Sequence, residues 1–474
     1  MITKFDMDKM EEECGVFAIY NNIDAAINTT LGLHALQHRG QESCGIVSSD
    51  EKEFYIHLAK GLVSDNFSNQ SIVDKLIGNK AIGHVRYSTA GKKNTRNHQP
   101  IFANFSFGDL AIAHNGNLTN AKTLKKDLVK KGAIFQSSMD TEVIIHLIAL
   151  SKKETIKERI IDALSQVKGA FSLVIMLKDQ IIAVRDINGV RPLILGKLGD
   201  SHVVASESCA LDIMDAKLVR DIKKGEMIII DKKGVYSEFP FENGISKFCI
   251  FEYIYFARPD SFIEGKNVYD IRKNIGMELA KEVKIEADIV VPVPDSGVSA
   301  AIGYSIASNI PFELGIIRNH YVGRTFIEPT DKIRHFGVKL KHNVNRDLIK
   351  GKRVILVDDS IVRGTTSKKI VKMVRDAGAK EVFLLVASPP TTGSCFYGID
   401  TPDDKNLIAN KLSKEEIARE IKADRVEYIS IDGLYNAISK SKRNNDQPQY
   451  CDACFSGDYP IALEDKLNED QINE

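Results

Sequence analysis

The chain has 474 residues, with 64 Lys plus Arg against 64 Asp plus Glu, a formal net charge of zero and a pI near 7.2. That length exceeds one ordinary hydrophobic core and calls for two domains, while the balanced charge lacks the basic footprint of a dedicated nucleic-acid binder. Seven cysteines, an odd number spread over a long chain, fit a reducing compartment, so a cysteine cluster here points to metal or catalysis and not to a disulfide framework.

Residues 1–13 hold two lysines but no apolar run long enough for a signal peptide or a bilayer span, so a cytoplasmic protein with no membrane partner is expected. Glu11, Glu12 and Glu13 then run into Cys14, and GVFAIY after it has the apolar character of a buried strand. Cys14 therefore stands at a strand's leading edge, a position that suits a core thiol and a nucleophile alike. CGIVSSD and FYIHLAKG read as strands, DTEVIIHLIALSKK as an amphipathic helix opened by Asp140, and FSLVIMLKDQIIAVRD as a tight hairpin. Strands that cluster, instead of alternating with helices, make the first half α+β. Past FPFENG and FARPDS, around residues 240–262, the pattern changes. ADIVVPVPDSG and KRVILVDDSIVRGTT are unbroken apolar runs, each followed by a helical pattern, as buried parallel strands with crossover helices would be. The polar, turn-rich tail after Lys440 is expected on the surface of one of the domains.

The strongest local signal is VILVDDSIVRGTTSKK, residues 354–369. A buried strand delivers Asp358 and Asp359 to the carboxyl edge of a sheet, where open α/β folds bind ligands. Arg363, Gly364, Thr365 and Thr366 follow at the mouth of a helix predicted to reach about Gly378. Backbone N–H groups and hydroxyls there form an anion cradle, and the glycine lets a phosphate come close. The carboxylates suit ribose hydroxyls or hydrated Mg²⁺.

This stretch resembles the phosphoribosyl pyrophosphate loop of the type I phosphoribosyltransferases. The variant DDSIVRGTT is similar to that of the amidophosphoribosyltransferases, glutamine-dependent enzymes that open purine synthesis. The resemblance runs along nearly the whole chain. It implies an N-terminal glutaminase domain of the Ntn-hydrolase class, an αββα sandwich, over residues 14–245. A type I phosphoribosyltransferase domain with a parallel sheet follows over 260–440, and a tail over 441–474. Cys14-GVF matches the start of the glutaminase, whose cysteine becomes the first residue after processing; residues 1–13 would be a propeptide cut between Glu13 and Cys14. LQHRGQES (Arg39, Gly40), HVRYSTAG (Arg86), HNGNL (Asn115, Gly116), SSMDTEV (Asp140) and NGVRPL resemble the rest of that half. The likeness implies that Cys14 attacks the glutamine amide and that Asn115 and Gly116 form the oxyanion hole. Arg86 and Asp140 would hold the substrate's α-carboxylate and α-amino groups.

In the second half VPVPDSGVSAAIGY resembles the family's pyrophosphate loop, with Ser296 assisting Asp358 and Asp359 at Mg²⁺. Arg363, Gly364, Thr365 and Thr366 would bind the phosphate, and RNHYVGRTFIEPT, residues 318–330, resembles the family's closing loop. One CxxC with two distant cysteines leaves zinc and iron equally open on spacing. The contexts FCIFEYIYFARPD (Cys249), SPPTTGSCFYGID (Cys395) and QYCDACFSG (Cys451, Cys454) match the subgroup with a [4Fe–4S] cluster and a propeptide. Cys44 and Cys209 are left as core thiols. Ala18 and Met139 depart from the family pattern and bear on packing. The implied product is 5-phosphoribosylamine, with glutamate and pyrophosphate released. The resemblance further implies purine nucleotides as feedback inhibitors and a homotetramer. Other Ntn amidotransferases lack a phosphoribosyl loop, and a silent or RNA-binding relative of this fold is disfavoured by the zero net charge and the constellation around Cys14.

Overall fold

The computed structural model describes residues 11–12, 14–87, 95–241, 244–319 and 342–473. The first half is two antiparallel sheets lying face to face. One orders its strands Lys217–Asp221, Ile194–Leu198, Ser201–Ala205, Cys14–Tyr20, Lys80–Arg86, Ser43–Ser49 and Phe54–Lys60. The other orders Gly234–Glu238, Met227–Asp231, Ile181–Arg185, Gly169–Leu177, Gly108–Leu118 and Ile101–Phe105. Side chains alternate between strand faces, and the cores follow that period. Val16, Ala18 and Tyr20 meet Ala111, Ala113, Val174 and Met176 between the sheets. Phe17 and Ile19 point the other way, onto the helix Ala25–Ala35 through Leu33, and Ile112 and Ile175 point out onto Thr141–Leu150 through Val143 and Ile144. Helices cover both outer faces, which makes the layering αββα as expected.

The second half is built on four parallel strands in the order Ile289–Pro292, Arg353–Asp358, Glu381–Val386, Arg425–Tyr428. The first three are mainly apolar because both faces are covered, whereas the edge strand Arg425–Tyr428 carries Arg425 and Glu427 and buries Val426. Val290, Ile355 and Val357 pack on one side with Tyr304, whereas Val291, Val354 and Leu356 pack on the other with Ile370 and Val374. The fold class is therefore the one the sequence predicts: an Ntn-type sandwich followed by a phosphoribosyltransferase-type parallel sheet.

The tail is largely exposed over residues 441–449, as expected, and departs from expectation over residues 450–455. Tyr450–Cys451 adds in parallel to Phe248–Cys249, and Cys451, Ala453 and Phe455 are buried in the second core. Its polar character had suggested surface. Instead Asp452 is buried because the Arg443 guanidinium and the Tyr435 hydroxyl both donate to it. Upstream of Cys14, the backbone of Glu11 and Glu12 pairs antiparallel with Asp400 and Ile399 in a short ladder. The remainder of the proposed propeptide, residues 1–10 and 13, lies outside the described residues. Among the described residues no helix is long and apolar enough to cross a membrane.

Candidate active site

Cys14 opens its strand with Arg86, the last residue of the neighbouring strand, as its Cα partner. The edge of the facing sheet contributes Asn115 and Gly116, paired with Ser172 and Phe171. Gly116 has φ +144°, and a Cβ there would lie 2.0 Å from the Ala170 carbonyl oxygen, so only glycine fits. Asp140 stands at the N-terminus of Thr141–Leu150, but its carboxylate does not cap that helix. Oδ2 accepts the Leu118 N–H at 2.9 Å, and Oδ1 lies 3.6 Å from His114 Nδ1. Burial would raise the Asp140 carboxyl, yet His114 and the N–H groups of Leu118 and Thr141 outweigh it and hold the group below its ordinary value. The carboxylate is therefore held in its ionised form.

Cys14, Arg86, Gly116 and Asp140 line one cavity of about 810 Å³. Asn115 is wholly buried beside it, and neither amide atom has a hydrogen-bond partner among the described residues. An unpartnered buried amide is costly for the fold, and it is what a donor reserved for a transient oxyanion looks like. Of the HVRYSTAG motif, Arg86 and Tyr87 line the cavity and residues 88–91 lie outside the described residues.

Reading along the chain misses several walls of this cavity. His114 lines it and touches Asp140. Met139, read as a packing departure, lines it as well. The second half closes one side with Ser394, Cys395 and Phe396, and the tail adds Asp465 and Lys466. Asn117 Nδ2 donates to the Phe396 carbonyl at 2.9 Å, and Gly398 sits so close that a Cβ on it would be 2.8 Å from Gly116 Cα. Asp465 accepts the N–H groups of Lys122 and Thr123 at 2.7 and 3.0 Å, capping Ala121–Lys130, whose own N-cap residue Asn120 makes no side-chain cap bond. The sequence offers no cue for this, because Asn120 is itself a good capping residue and its side chain is engaged elsewhere, donating to the Gln166 carbonyl.

The phosphoribosyl end is a separate region. The strands Ile289–Pro292 and Arg353–Asp358 are neighbours and parallel, so the loops 293–297 and 359–364 leave the same sheet edge side by side. Asp358 and Asp359 are both 1% exposed. Asp358 Oδ1 accepts the Asp359 N–H at 2.9 Å, and Asp359 Oδ2 accepts the Ser360 hydroxyl at 2.6 Å, which fixes both carboxylates. Gly364, at φ +80°, is the N-cap of Thr365–Asp376, so Arg363, Thr365 and Thr366 surround that helix's N-terminus as expected. Ser296 lines a small void with Asp359 and Arg272. Of the expected closing loop, Arg318 ends the strand Ile316–Arg318 and residues 320–330 lie outside the described residues.

The four distant cysteines converge. Cys249 and Cys451 are Cα partners, and the N–H groups of Thr392 and Gly393 donate to the Cys454 carbonyl at 2.9 and 3.0 Å, which brings the Cys395 loop alongside. The Tyr397 N–H points at Cys395 Sγ, 3.3 Å away. Burial pushes the Cys451 and Cys454 thiols up, and the neighbouring Cys249 and Cys395 add to it. Among the described residues no three His, Cys, Asp or Glu side chains stand close enough to hold a single metal ion. Cys44 and Cys209 are buried core thiols, as expected.

Comparison with known proteins places these geometries in a family. A glutamine amidotransferase domain model matches residues 84–212. The amidophosphoribosyltransferase of Rhizobium etli is 53% identical over 99% of this chain and 96% of its own length. The chain belongs to the amidophosphoribosyltransferases. The Bacillus subtilis member is 49% identical over 96% of this chain and 95% of its own. A solved structure of the glutamine phosphoribosylpyrophosphate amidotransferase from B. subtilis, complexed with ADP and GMP, superposes with a TM-score of 0.90 at 48% identity. That superposition covers 95% of this chain and 98% of the other. Similar amidophosphoribosyltransferases from Arabidopsis thaliana are chloroplastic.

Proposed function

We propose that residues 14–245 hydrolyse glutamine and that residues 260–440 pass the ammonia to phosphoribosyl pyrophosphate. This would give 5-phosphoribosylamine, the first committed step of purine synthesis, with residues 441–474 tying the halves together. The observation that carries the reading is the convergence of Cys14, Arg86, Gly116 and Asp140 on one cavity, in a chain that also presents a buried Asp358–Asp359 pair before an anion-binding helix. Arg86 forks onto the glutamine α-carboxylate, and Asp140 pairs with its ammonium. With residues 1–13 removed, the Cys14 α-amine, with an ordinary pKa near ~8, accepts the thiol proton. Sγ then attacks the side-chain carbonyl, and Asn115 and Gly116 donate to the oxyanion. The carbon–nitrogen bond breaks, ammonia takes the proton and leaves, and water cleaves the thioester to glutamate. At the other site ammonia attacks the anomeric carbon and pyrophosphate departs.

Ser296, Asp358 and Asp359 would hold Mg²⁺; the paired acids at a sheet edge suit a hard, hydrated cation, which when bound neutralises pyrophosphate charge. Arg363, Gly364, Thr365 and Thr366 bind the 5-phosphate. Cys249, Cys395, Cys451 and Cys454, drawn together by the Cys249–Cys451 pairing and by the Thr392 and Gly393 N–H groups on the Cys454 carbonyl, would hold a [4Fe–4S] cluster as thiolates, and when bound it would cross-link distant segments. The B. subtilis complex with ADP and GMP supports purine nucleotides as regulators here. A homotetramer is what the family resemblance implies, and a cytoplasmic location is the expectation from the sequence. Purified protein incubated with glutamine, phosphoribosyl pyrophosphate and Mg²⁺ should release glutamate and pyrophosphate in equal amounts. Glutamate without pyrophosphate would reject the second half of the reading.

A further inference from the structure

Outside the reacting cavity, four buried charged side chains meet beside Cys14. Arg39 Nε donates to the Cys14 carbonyl oxygen at 3.2 Å. Its Nη2 and Nη1 fork onto Glu252 at 2.7 and 3.2 Å, and Nη1 also pairs with Glu207. Arg191 Nη2 donates to the same Glu252 carboxylate at 2.8 Å. All four side chains are fully buried.

Glu252 lies in neither catalytic sheet. It opens a π-helical turn, Glu252–Phe256, in the segment joining the two halves. Arg272, from the helix Val268–Glu282, clamps that turn from the far side, donating to the Tyr253 carbonyl at 2.8 Å and to Ala257 at 2.7 Å.

A buried ion pair is a poor way to add stability, because desolvation consumes most of its Coulombic gain. What a guanidinium–carboxylate fork does well is fix geometry. A π-turn is likewise a local irregularity that recurs at functional sites. The object being fixed is the carbonyl of the nucleophile residue. Once residues 1–13 are gone, Cys14 is a chain terminus, and termini fray unless tied down.

We propose that Glu252 is a positioning residue for the glutaminase step. Through Arg39 it sets the Cys14 carbonyl, and with it the directions of the thiol and the α-amine. The inference rests on reading Cys14 as the nucleophile. The first half's chemistry then depends on a residue supplied by the linker, outside the stretch that the glutamine amidotransferase domain model matches.

The test uses the full-length, processed enzyme and 6-diazo-5-oxo-norleucine, a glutamine analogue that alkylates a positioned thiol. In Glu252→Gln, alkylation of Cys14 and the glutaminase kcat should both fall about tenfold or more, because small misplacements of a nucleophile are costly. KM for glutamine should stay within about twofold, since Arg86 and Asp140 are untouched, and ammonia-dependent phosphoribosylamine synthesis should persist. Arg39→Lys, which keeps the buried positive charge but loses the fork, should reproduce the split if Glu252→Gln does not fold. Alkylation and kcat within about twofold of wild type in either folded variant would overturn the proposal. So would parallel loss of glutamine- and ammonia-dependent activity in both. A wild-type enzyme in which Cys14 is never alkylated would instead remove the nucleophile assignment on which the proposal stands.

Discussion

Replacing Asn115 by leucine separates catalytic from structural value, because the two respond with opposite sign. The side chain is 0% exposed, and neither amide atom has a partner among the described residues. Leucine has nearly the same branched shape, so no cavity opens and no protein hydrogen bond is lost. The fold should gain, since a buried unsatisfied amide costs ~1–3 kcal/mol. Loss of one oxyanion donor should lower the glutaminase kcat by about 10²–10³-fold, ~2.7–4 kcal/mol of barrier. Glutamate release at saturating glutamine measures the second effect and urea unfolding the first, with ammonia-dependent pyrophosphate release as the internal control. A variant destabilised by more than about 1 kcal/mol whose two activities fall together would show that the amide is structural. A stable variant with glutaminase within about tenfold of wild type would show that the oxyanion is held by other groups.

Asp358→Asn combined with Asp359→Asn should abolish phosphoribosylamine formation from both glutamine and ammonia; near-normal turnover would remove the phosphoribosyl assignment. Iron and sulfide should be found in anaerobically purified protein and be lost when Cys451 and Cys454 are changed to serine, whereas zinc without iron would reject the cluster. Burial holds His84 at about 3, its neutral ring donating to the His114 carbonyl. The unfolded chain therefore binds one more proton between pH ~6.5 and that value, and stability falls as pH drops by ~1.4 kcal/mol per unit. His84→Gln should flatten the acid slope by one proton, and identical slopes would contradict the buried neutral state. Intact mass should show wild type beginning at Cys14 and Cys14→Ala retaining its first thirteen residues; active enzyme with the full N-terminus would exclude the α-amine as base.

What the sequence made legible follows from what local pattern encodes. Strands covered on both faces read as unbroken apolar runs, so GVFAIY and FSLVIM announced their sheets, and Asp358–Asp359 announced a sheet edge because an apolar run ends there. Arg86 and Asp140 were legible only as members of motifs, since a lone guanidinium or carboxylate carries no address. The failures share one cause. The burial of Asp452 is decided by Arg443 and Tyr435, the cap of Ala121–Lys130 comes from Asp465, and the hold on Cys14 reaches Glu252. Each is a polar contact across the chain, where periodicity is silent and composition misleads towards surface.

The same contacts explain why the two halves are not independent modules joined by a tether. Gly398 and Gly116 approach so closely that a methyl group on the former would collide with the backbone of the strand Gly108–Leu118, and Asn117 ties that strand to Phe396 one residue after Cys395. Any force that moves the 395–400 loop therefore acts directly on the backbone that carries Asn115 and Gly116. Packing at this density transmits displacement instead of absorbing it. The glutaminase cavity is thus an interface property: one wall belongs to the first half's sheets and the opposite wall to the second half and the tail.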